Sequence, residues 1–299
     1  MKRIALINDL SGFGKCSLTA AIPVVSALGL QACPLPTAVL SAQTGFPSYY
    51  CDDCTDKMNR ITDEWSRMDV RFDGIYSGYL ENPAQVRNVL YFLSRFHTDG
   101  ALYLADPIMG DNGQRFPFLT RGLLDGIKTL TRRADVITPN LTELCLLSDT
   151  DYDAVAAFSG DGDYTDRIRD IGHRLLERAE TSQTIIVTGI LRHADAGAAI
   201  GNLAVSADDC CYVETPYTGT SFSGTGDLFA SVIIGSLVKG LPVPDALRQA
   251  VAFLQPAIAE ASADNVPRDH GVPFEKHLYR LICPAREADA SPASRMPRP

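Results

Sequence analysis

Residues 222–230, read Phe-Ser-Gly-Thr-Gly-Asp-Leu-Phe-Ala, set three small residues directly before a carboxylate and an apolar helical pattern. Gly224 and Gly226 admit backbone angles and close approaches that a Cβ would block. With Thr225 between them, they open a helix whose apolar positions are Leu228, Phe229, Val232, Ile233 and Leu237. The first amides of a helix lack intrahelical partners and its dipole favours negative charge there, so the run suits an anion. Asp227 sets two readings against each other. A carboxylate in the first turn stabilises any helix. Beside a bound phosphate it is poorly placed for binding, but well placed to take a proton from a hydroxyl that attacks that phosphate. Taken alone, the run fits a capped glycine turn and a phosphoryl-transfer centre equally.

Other polar residues collect where short apolar runs end. Asn8-Asp9-Leu10-Ser11-Gly12-Phe13-Gly14-Lys15 follows the first run, without the first glycine of a P-loop. It reads as a ligand-contacting turn or as a plain turn capped by Asn8 or Asp9. Ser41–Phe46, Ser77-Gly78-Tyr79, the segment 106–113, Pro139–Glu143 and Gly189 follow later runs. Asp106, Asp111 and Glu143 bring three carboxylates towards one crevice. Like charges at close range are costly unless a cation joins them, and magnesium on nucleotide phosphates, keeping several of its waters, solves that problem. Asn140 followed three residues later by Glu143 also matches a helix N-cap with its capping-box partner, and one site can serve both.

The elements that must position these groups alternate along the chain. Apolar runs at 4–7, 31–39, 74–76, 101–105, 136–138, 184–188, 197–205 and 210–213 predict strands. Helical periodicity predicts helices at 17–28, 83–96, 122–131, 141–147, 165–179, 227–238 and 244–262. This order implies βαβ units, a parallel central sheet and helices on both faces. The polar turn 206–209 predicts an antiparallel edge. In such sheets ligands sit at the carboxyl ends of the strands, where the residues above fall.

The 299 residues carry a net charge of −9, which argues against nucleic acid or an anionic membrane as partner. No run reaches the ~18 apolar residues of a membrane span, and the initial apolar run breaks at Asn8-Asp9, so a cytoplasmic protein is expected. Eight scattered cysteines do not make a disulfide scaffold. Cys51 and Cys54 have metal-ligand spacing but no second pair, and the acidic residues between them would raise thiol pKa values; free thiols are expected. Residues 159–164 lack the spacing of a calcium loop and read as a solvated connector. Residues 283–299, rich in Pro, Ala, Ser and Arg, are expected to be disordered.

Taken in order, these motifs resemble the ribokinase-like superfamily over about residues 1–282, and most closely its pyridoxal kinase branch. Gly224-Thr225-Gly226-Asp227 resembles the family's anion hole and catalytic base. Asn140-x-x-Glu143 is similar to its magnesium-linked N-x-x-E motif, and Asp106-Pro107-Ile108-Met109-Gly110-Asp111 to the branch's D-P-V-[ML]-G-D segment. Thr138-Pro139-Asn140, Ser77-Gly78-Tyr79 and Ser41-x-x-Thr44-Gly45 also fit. The resemblance implies a single three-layer αβα kinase domain over 1–282. It also implies ATP, magnesium reached through Glu143 and Asp106 by way of water, a monovalent cation such as potassium, and a homodimer. It puts the hydroxymethyl group of pyridoxal, pyridoxamine or pyridoxine against Asp227, with Asp9, Ser11, Thr44 and Tyr79 around the pyridine ring. Asp106, Asp111, Asn140, Glu143, Thr188 and Phe222 fall to the nucleotide, and the stretch from Asp111 to Phe118 to a lid.

Asp9 stands where these kinases commonly carry a serine, which implies a stronger, charge-assisted bond to a protonated ring. Leu40 replaces an aromatic that some relatives place against the ring. The glycine motif lacks the cysteine of hydroxymethylpyrimidine kinases. A kinase for hydroxymethylpyrimidine, a small sugar or a nucleoside is the competing enzyme, and a non-catalytic sensor of ATP or the vitamer the competing class.

Overall fold

In a computed structural model, the protein is described over residues 1–98, 100–160, 162–194 and 197–282. In chain order the elements are β1 (Arg3–Ser11), α1 (Ser17–Ala27), β2 (Gln31–Leu40), β3 (Cys51–Asp53), α2 (Thr55–Arg67), β4 (Gly74–Ser77), α3 (Pro83–Phe96) and β5 (Leu102–Ala105). A short hairpin of β6 (Gly110–Asp111) and β7 (Gln114–Arg115) follows, then α4 (Arg121–Arg133), β8 (Val136–Ile137), α5 (Leu141–Ser148), α6 (Tyr152–Ala156) and α7 (Tyr164–Leu176). The chain continues through β9 (Thr184–Ala194), β10 (Gly197–Val205), β11 (Cys210–Pro216), α8 (Thr225–Val238) and α9 (Val243–Ala263). Two 3-10 turns, Arg268–His270 and Phe274–His277, precede α10 (Tyr279–Ile282).

Nine strands form one sheet in the order β11-β10-β9-β8-β5-β4-β1-β2-β3. The pairs from β9 to β2 are parallel, whereas β10 and β11 run antiparallel at one edge and β3 at the other. Residues alternate between faces with period two. Ile4, Leu6 and Tyr76 enter the apolar cluster shared with α1, α8 and α9. Ala5, Ile7 and Ile75 enter the cluster on the opposite face, with α3, α4, α5 and α7. That double burial explains why these strands read as unbroken apolar runs. Helix α8 is apolar almost all round because it lies between the sheet and its neighbours α1 and α9.

Strand order reverses at β1: β2 lies on one side of it and β4, β5, β8 and β9 on the other. The crevice at that reversal is the expected ligand site of an open α/β sheet. The predicted antiparallel edge is present, with Val205 opposite Cys210.

Several features depart from the sequence expectations. Strand β1 runs on to Ser11, so Asn8 and Asp9 lie within it and not in a turn after it, and the short helices α6 and α10 were not predicted. Helix α2 was not predicted either, although Met58, Ile61, Thr62 and Trp65 fall on one face at helical spacing. Strand β3 is three residues long, too short to show a pattern. The β6–β7 hairpin turns at Asn112 and Gly113, both with positive φ, and this Asn-Gly pair is the signal that would have found it. Cys51 and Cys54 carry free thiols at the edge of the sheet and the start of α2. Burial, with Glu81 adding to it, pushes the Cys51 thiol up to about 11. Of the expected connector at 159–164, Asp161 lies outside the described residues, as does the tail 283–299.

Candidate active site

Gly224 caps α8 with a left-handed backbone, φ 80°, and a Cβ there would collide with the carbonyl oxygen of Lys15. Only glycine satisfies both demands. A Cβ on Gly226, by contrast, would meet nothing within 4 Å, so the space before the helix N-terminus is open to a ligand. Thr225 turns its hydroxyl back onto the carbonyl of Phe222 at 3.0 Å, which leaves the backbone amides of the turn facing that space.

Asp227 is 8% exposed. Its Oδ1 accepts hydrogen bonds from Asn8 Nδ2 at 3.0 Å and from the Tyr76 hydroxyl at 3.2 Å. Burial pushes its carboxyl up to about 6; the backbone amide of Ser17 opposes this, and the charge of Asp9 adds to it. A buried carboxylate titrating near neutrality has the basicity that proton abstraction needs. Asn8 also accepts from the backbone amides of Asp9 at 3.0 Å and Tyr79 at 2.8 Å, so its rotamer is fixed by both β1 and the end of β4. Gly78 makes room for it, since a Cβ at that position would strike the Asn8 amide. Neither Asn8 nor Tyr76 stands out as a site residue in the sequence. Asn8 reads there as a turn cap and Tyr76 as core, because the period of a strand does not say which polar tips meet.

Asp9 is 5% exposed and sits where the β1–β2 register slips between Asn8 and Leu10. Such irregularities re-aim side chains next to active sites. Its carboxylate accepts the Ser11 hydroxyl at 2.7 Å and the Ser17 hydroxyl at 2.5 Å, while burial raises its pKa. Ser17 holds φ 50°, an unfavourable left-handed backbone at the start of α1, and thereby serves both carboxylates, with its hydroxyl on Asp9 and its amide toward Asp227. Ser17 was not anticipated from sequence either. Tyr79 is buried beside Asn8, its ring edge-on to Phe118 at 5.1 Å. Thr44 is exposed on the loop after β2, and Leu40 is buried in the sheet.

On the other side of the crevice, Asp106 accepts the Thr138 hydroxyl at 2.8 Å. Burial, with Asp227 adding to it, pushes Asp106 up to about 7. Asn140 and Glu143 form the predicted capping box of α5. Glu143 accepts the amide of Asn140 on Oε2 at 2.9 Å and the amide of Met109 on Oε1 at 3.0 Å. Burial and the charge of Asp106 raise its pKa well above the usual range. Asn140 also donates to the carbonyl of Gly110 at 2.8 Å, which docks the β6–β7 hairpin on the helix start. Thr188 lies against this N-cap, its amide on the carbonyl of Pro139 at 2.9 Å. Asp111 points outward and pairs with Arg268 at 3.2 Å. The Phe222 ring is 5% exposed and packs in the α8 core, and its carbonyl accepts the Thr225 hydroxyl.

Asp227 raises the cost of ionising Asp106, and Asp106 that of Glu143, a chain of buried carboxyls that suits a nearby cation. Among the described residues no three His, Cys, Asp or Glu side chains converge to grip an ion directly. Both oxygens of Glu143 are already engaged by amides. The donor set therefore fits a hydrated magnesium held through water, not a stripped ion in a protein cage. The position of Gly226 at the N-terminus of α8 is open, and Asn8 joins Asp227 to the backbone of Tyr79 while Asp9 is close enough to Asp227 to raise its pKa.

The family model described as phosphomethylpyrimidine kinase matches residues 14–272. The chain is similar to a candidate phosphomethylpyrimidine kinase from Bacteroides thetaiotaomicron crystallised with pyridoxal, at 37% identity and a TM-score of 0.85, covering 94% of this chain and 95% of that one. It is similar to pyridoxal kinase from Lactobacillus plantarum at 26% identity and a TM-score of 0.82, covering 95% and 97%. The pyridoxal kinase of Rubrobacter xylanophilus is 26% identical over 254 residues, 82% of each protein. The sheet and its flanking helices are thus of the ribokinase-like kind.

Proposed function

The chain belongs to the phosphomethylpyrimidine kinase family and is a phosphotransferase acting on an alcohol group, and from that premise we propose that it phosphorylates the hydroxymethyl group of a vitamin B6 vitamer with ATP. The observation that carries the reading is the placement of Asp227. Its buried carboxyl, shifted to about 6, stands in the first turn of α8 next to the open position of Gly226, and it is joined through Asn8 to Tyr79 and by charge to Asp9.

In this reading the Asp227 carboxylate takes the proton of the substrate hydroxyl while the hydroxyl oxygen attacks the γ-phosphorus in line, the bond to the β,γ-bridging oxygen breaks and ADP leaves. The amides of Gly224, Thr225 and Gly226 stabilise the charge on the transferred group, a kind of donor worth ~2.7–4 kcal/mol apiece in other enzymes. Asp106 and Glu143 hold magnesium through water, with Asn140 and Thr188 alongside. Magnesium, when bound, neutralises the phosphate charge. Asp9 accepts a hydrogen bond from a protonated pyridine nitrogen, with Ser11, Thr44 and Tyr79 around the ring. Similarity to a protein crystallised with pyridoxal supports this choice of ring. The reading includes a cytoplasmic homodimer and a monovalent cation near the phosphates.

The family description itself favours a second acceptor, hydroxymethylpyrimidine, whose ring could also donate to Asp9. The deciding experiment offers pyridoxal, pyridoxamine, pyridoxine, hydroxymethylpyrimidine, a sugar and a nucleoside with Mg-ATP and reads the phosphorylated product. The highest kcat/KM on a B6 vitamer is expected. A clear preference for the pyrimidine, sugar or nucleoside overturns the assignment, and binding without product for any acceptor makes the protein a sensor.

A further inference from the structure

The 3-10 turn Arg268–His270 joins the segment before α8 to the loops after β1 and β2. The carbonyl of Arg268 accepts the amide of Ser223 at 3.1 Å, one residue before the glycine cap of α8. Asp269 accepts the Ser223 hydroxyl at 3.4 Å and, through its carbonyl, the Gln43 side chain at 3.2 Å. His270 packs on Phe13 and Phe46 at ring-centroid distances of 5.1 and 5.8 Å. The turn is therefore anchored to the phosphate side by Ser223 and to the acceptor side by Gln43, Phe13 and Phe46.

From this anchor the Arg268 side chain reaches across to Asp111 on the β6–β7 hairpin, at 3.2 Å and with both partners half exposed. The hairpin in turn is pinned to the start of α5 by Asn140 and Thr142, the latter accepting the Gly113 amide at 2.8 Å. The residue therefore reaches from Ser223, beside the α8 cap, to the hairpin docked on the N-cap of α5. The exposed rim is acidic at Asp111, and the buried carboxyls of Asp9, Asp106, Glu143 and Asp227 add to the acidity of the site. A polyanion entering that rim needs a positive group, and an exposed carboxylate pair holds a guanidinium only weakly. Arginine matches phosphate oxygens in a bidentate manner.

We propose that Arg268 is a nucleotide-binding residue, parked on Asp111 in the free protein and handed over to the β- and γ-phosphates when the nucleotide enters. This rests on the kinase reading above. It also gives Asp111 an indirect part: the carboxylate stores the guanidinium until phosphate displaces it, while Asn140 and Thr142 keep the hairpin in place.

The test measures binding of Mg-AMP-PNP and, by competition, of AMP to the full-length protein and to Arg268→Ala, Arg268→Lys and Asp111→Asn. Loss of a charge-assisted contact predicts a Kd for Mg-AMP-PNP about tenfold or more higher in Arg268→Ala, an intermediate value in Arg268→Lys and an unchanged Kd for AMP. Asp111→Asn, which frees the arginine, is expected to bind Mg-AMP-PNP as tightly as the unmodified protein or more so. If Arg268 only latches the hairpin to the turn, Arg268→Ala and Asp111→Asn weaken binding alike and AMP is affected as well. That result overturns the proposal, as does Arg268→Ala binding Mg-AMP-PNP within twofold of the unmodified protein. Failure of the unmodified protein to bind Mg-AMP-PNP overturns the kinase reading, and this inference with it.

Discussion

Asn8 Nδ2 lies 3.0 Å from Asp227 Oδ1, joining the end of β1 to the first turn of α8 across 219 positions of sequence. The contact orients a carboxylate that burial alone would leave protonated over much of the neutral range. It also ties that carboxylate to the pocket wall, since Asn8 holds the Tyr79 amide with its other end.

Replacing Asp227 with Asn keeps the shape and the accepted hydrogen bonds but removes the base. We expect kcat to fall by ~10²–10⁴, the contribution of a positioned general base, with Mg-AMP-PNP affinity kept within a few fold. Steady-state kinetics beside equilibrium binding checks both halves. A kcat within about tenfold of the unmodified enzyme would remove Asp227 from the role.

Two changes at Asn8 separate orientation from charge. Asn8→Ala strands two buried backbone amides at a cost of ~1–3 kcal/mol each and frees Asp227, so both the melting temperature and kcat are expected to drop. Asn8→Asp keeps the acceptor for those amides but sets a second carboxylate against Asp227. Its signature is an acid limb of kcat/KM displaced to higher pH, which a loss of packing alone cannot produce.

How much of this was legible in the chain depends on range. The glycine turn, the capping box of Asn140 and Glu143, and the strand end that carries Asp106 are local patterns, and each stands where the sequence placed it; Asp9, expected in a turn, lies inside β1 at its register slip. Asn8, Ser17 and Tyr76 were missed because their meaning lies in what they meet. A strand period assigns Tyr76 to the core without saying that its hydroxyl ends on Asp227. The left-handed Ser17 is invisible to propensity, since tertiary contacts impose it. The face of α2 formed by Met58, Ile61, Thr62 and Trp65 was legible but was not read.

The acidic cluster makes both activity and stability depend on pH. Asp227 must be ionised to act, and its carboxyl titrates at about 6, so kcat/KM should climb with pH through an acid limb near that value. Stability moves the other way. The folded-state values of Asp227, about 6, and Asp106, about 7, lie above the ordinary 3.8, so the stability they lend is present in acid and lost as pH rises through 6 to 7. That loss starts above the unfolded value of 3.8, so the ligand-free protein should melt higher in Asp106→Asn than in the unmodified form at pH about 8, with a clearly smaller difference at about 5. Thermal scans at the two pH values decide it; an equal shift at both would mean that charge at Asp106 is not the cause.

Gly224 tests the anion site through the backbone. Alanine there has to take φ 80° and also displace the Lys15 carbonyl. A cost of ~1–3 kcal/mol is expected from backbone strain, read as a lower urea midpoint, together with loss of turnover. Alanine at Gly226 has open space in front of it and helical backbone angles, so it should leave stability nearly unchanged while its methyl group intrudes where phosphate would lie. A variant at Gly226 that is stable and fully active would mean that no ligand occupies that space.

Asp9→Ser is the change that addresses the ring. The Asp9 carboxylate is buried, held by Ser11 and Ser17, and close enough to Asp227 to raise its pKa. A ring carrying a proton on nitrogen would neutralise Asp9 and lower the cost of ionising Asp227, so substrate binding and base strength are linked through one charge. Serine keeps a hydrogen-bonding group but abolishes the charge. Three consequences should appear together. KM for a protonated pyridine rises by roughly tenfold, as for a lost charge-assisted bond. The acid limb of kcat for the free base moves to lower pH, because the like charge beside it is gone. Discrimination between rings that can and cannot carry the proton narrows. Measuring pH profiles for two vitamers on Asp9→Ser and the unmodified enzyme separates these effects. An unchanged acid limb with an altered KM would confine Asp9 to ring binding, and an unchanged KM would show that the ring nitrogen meets another group.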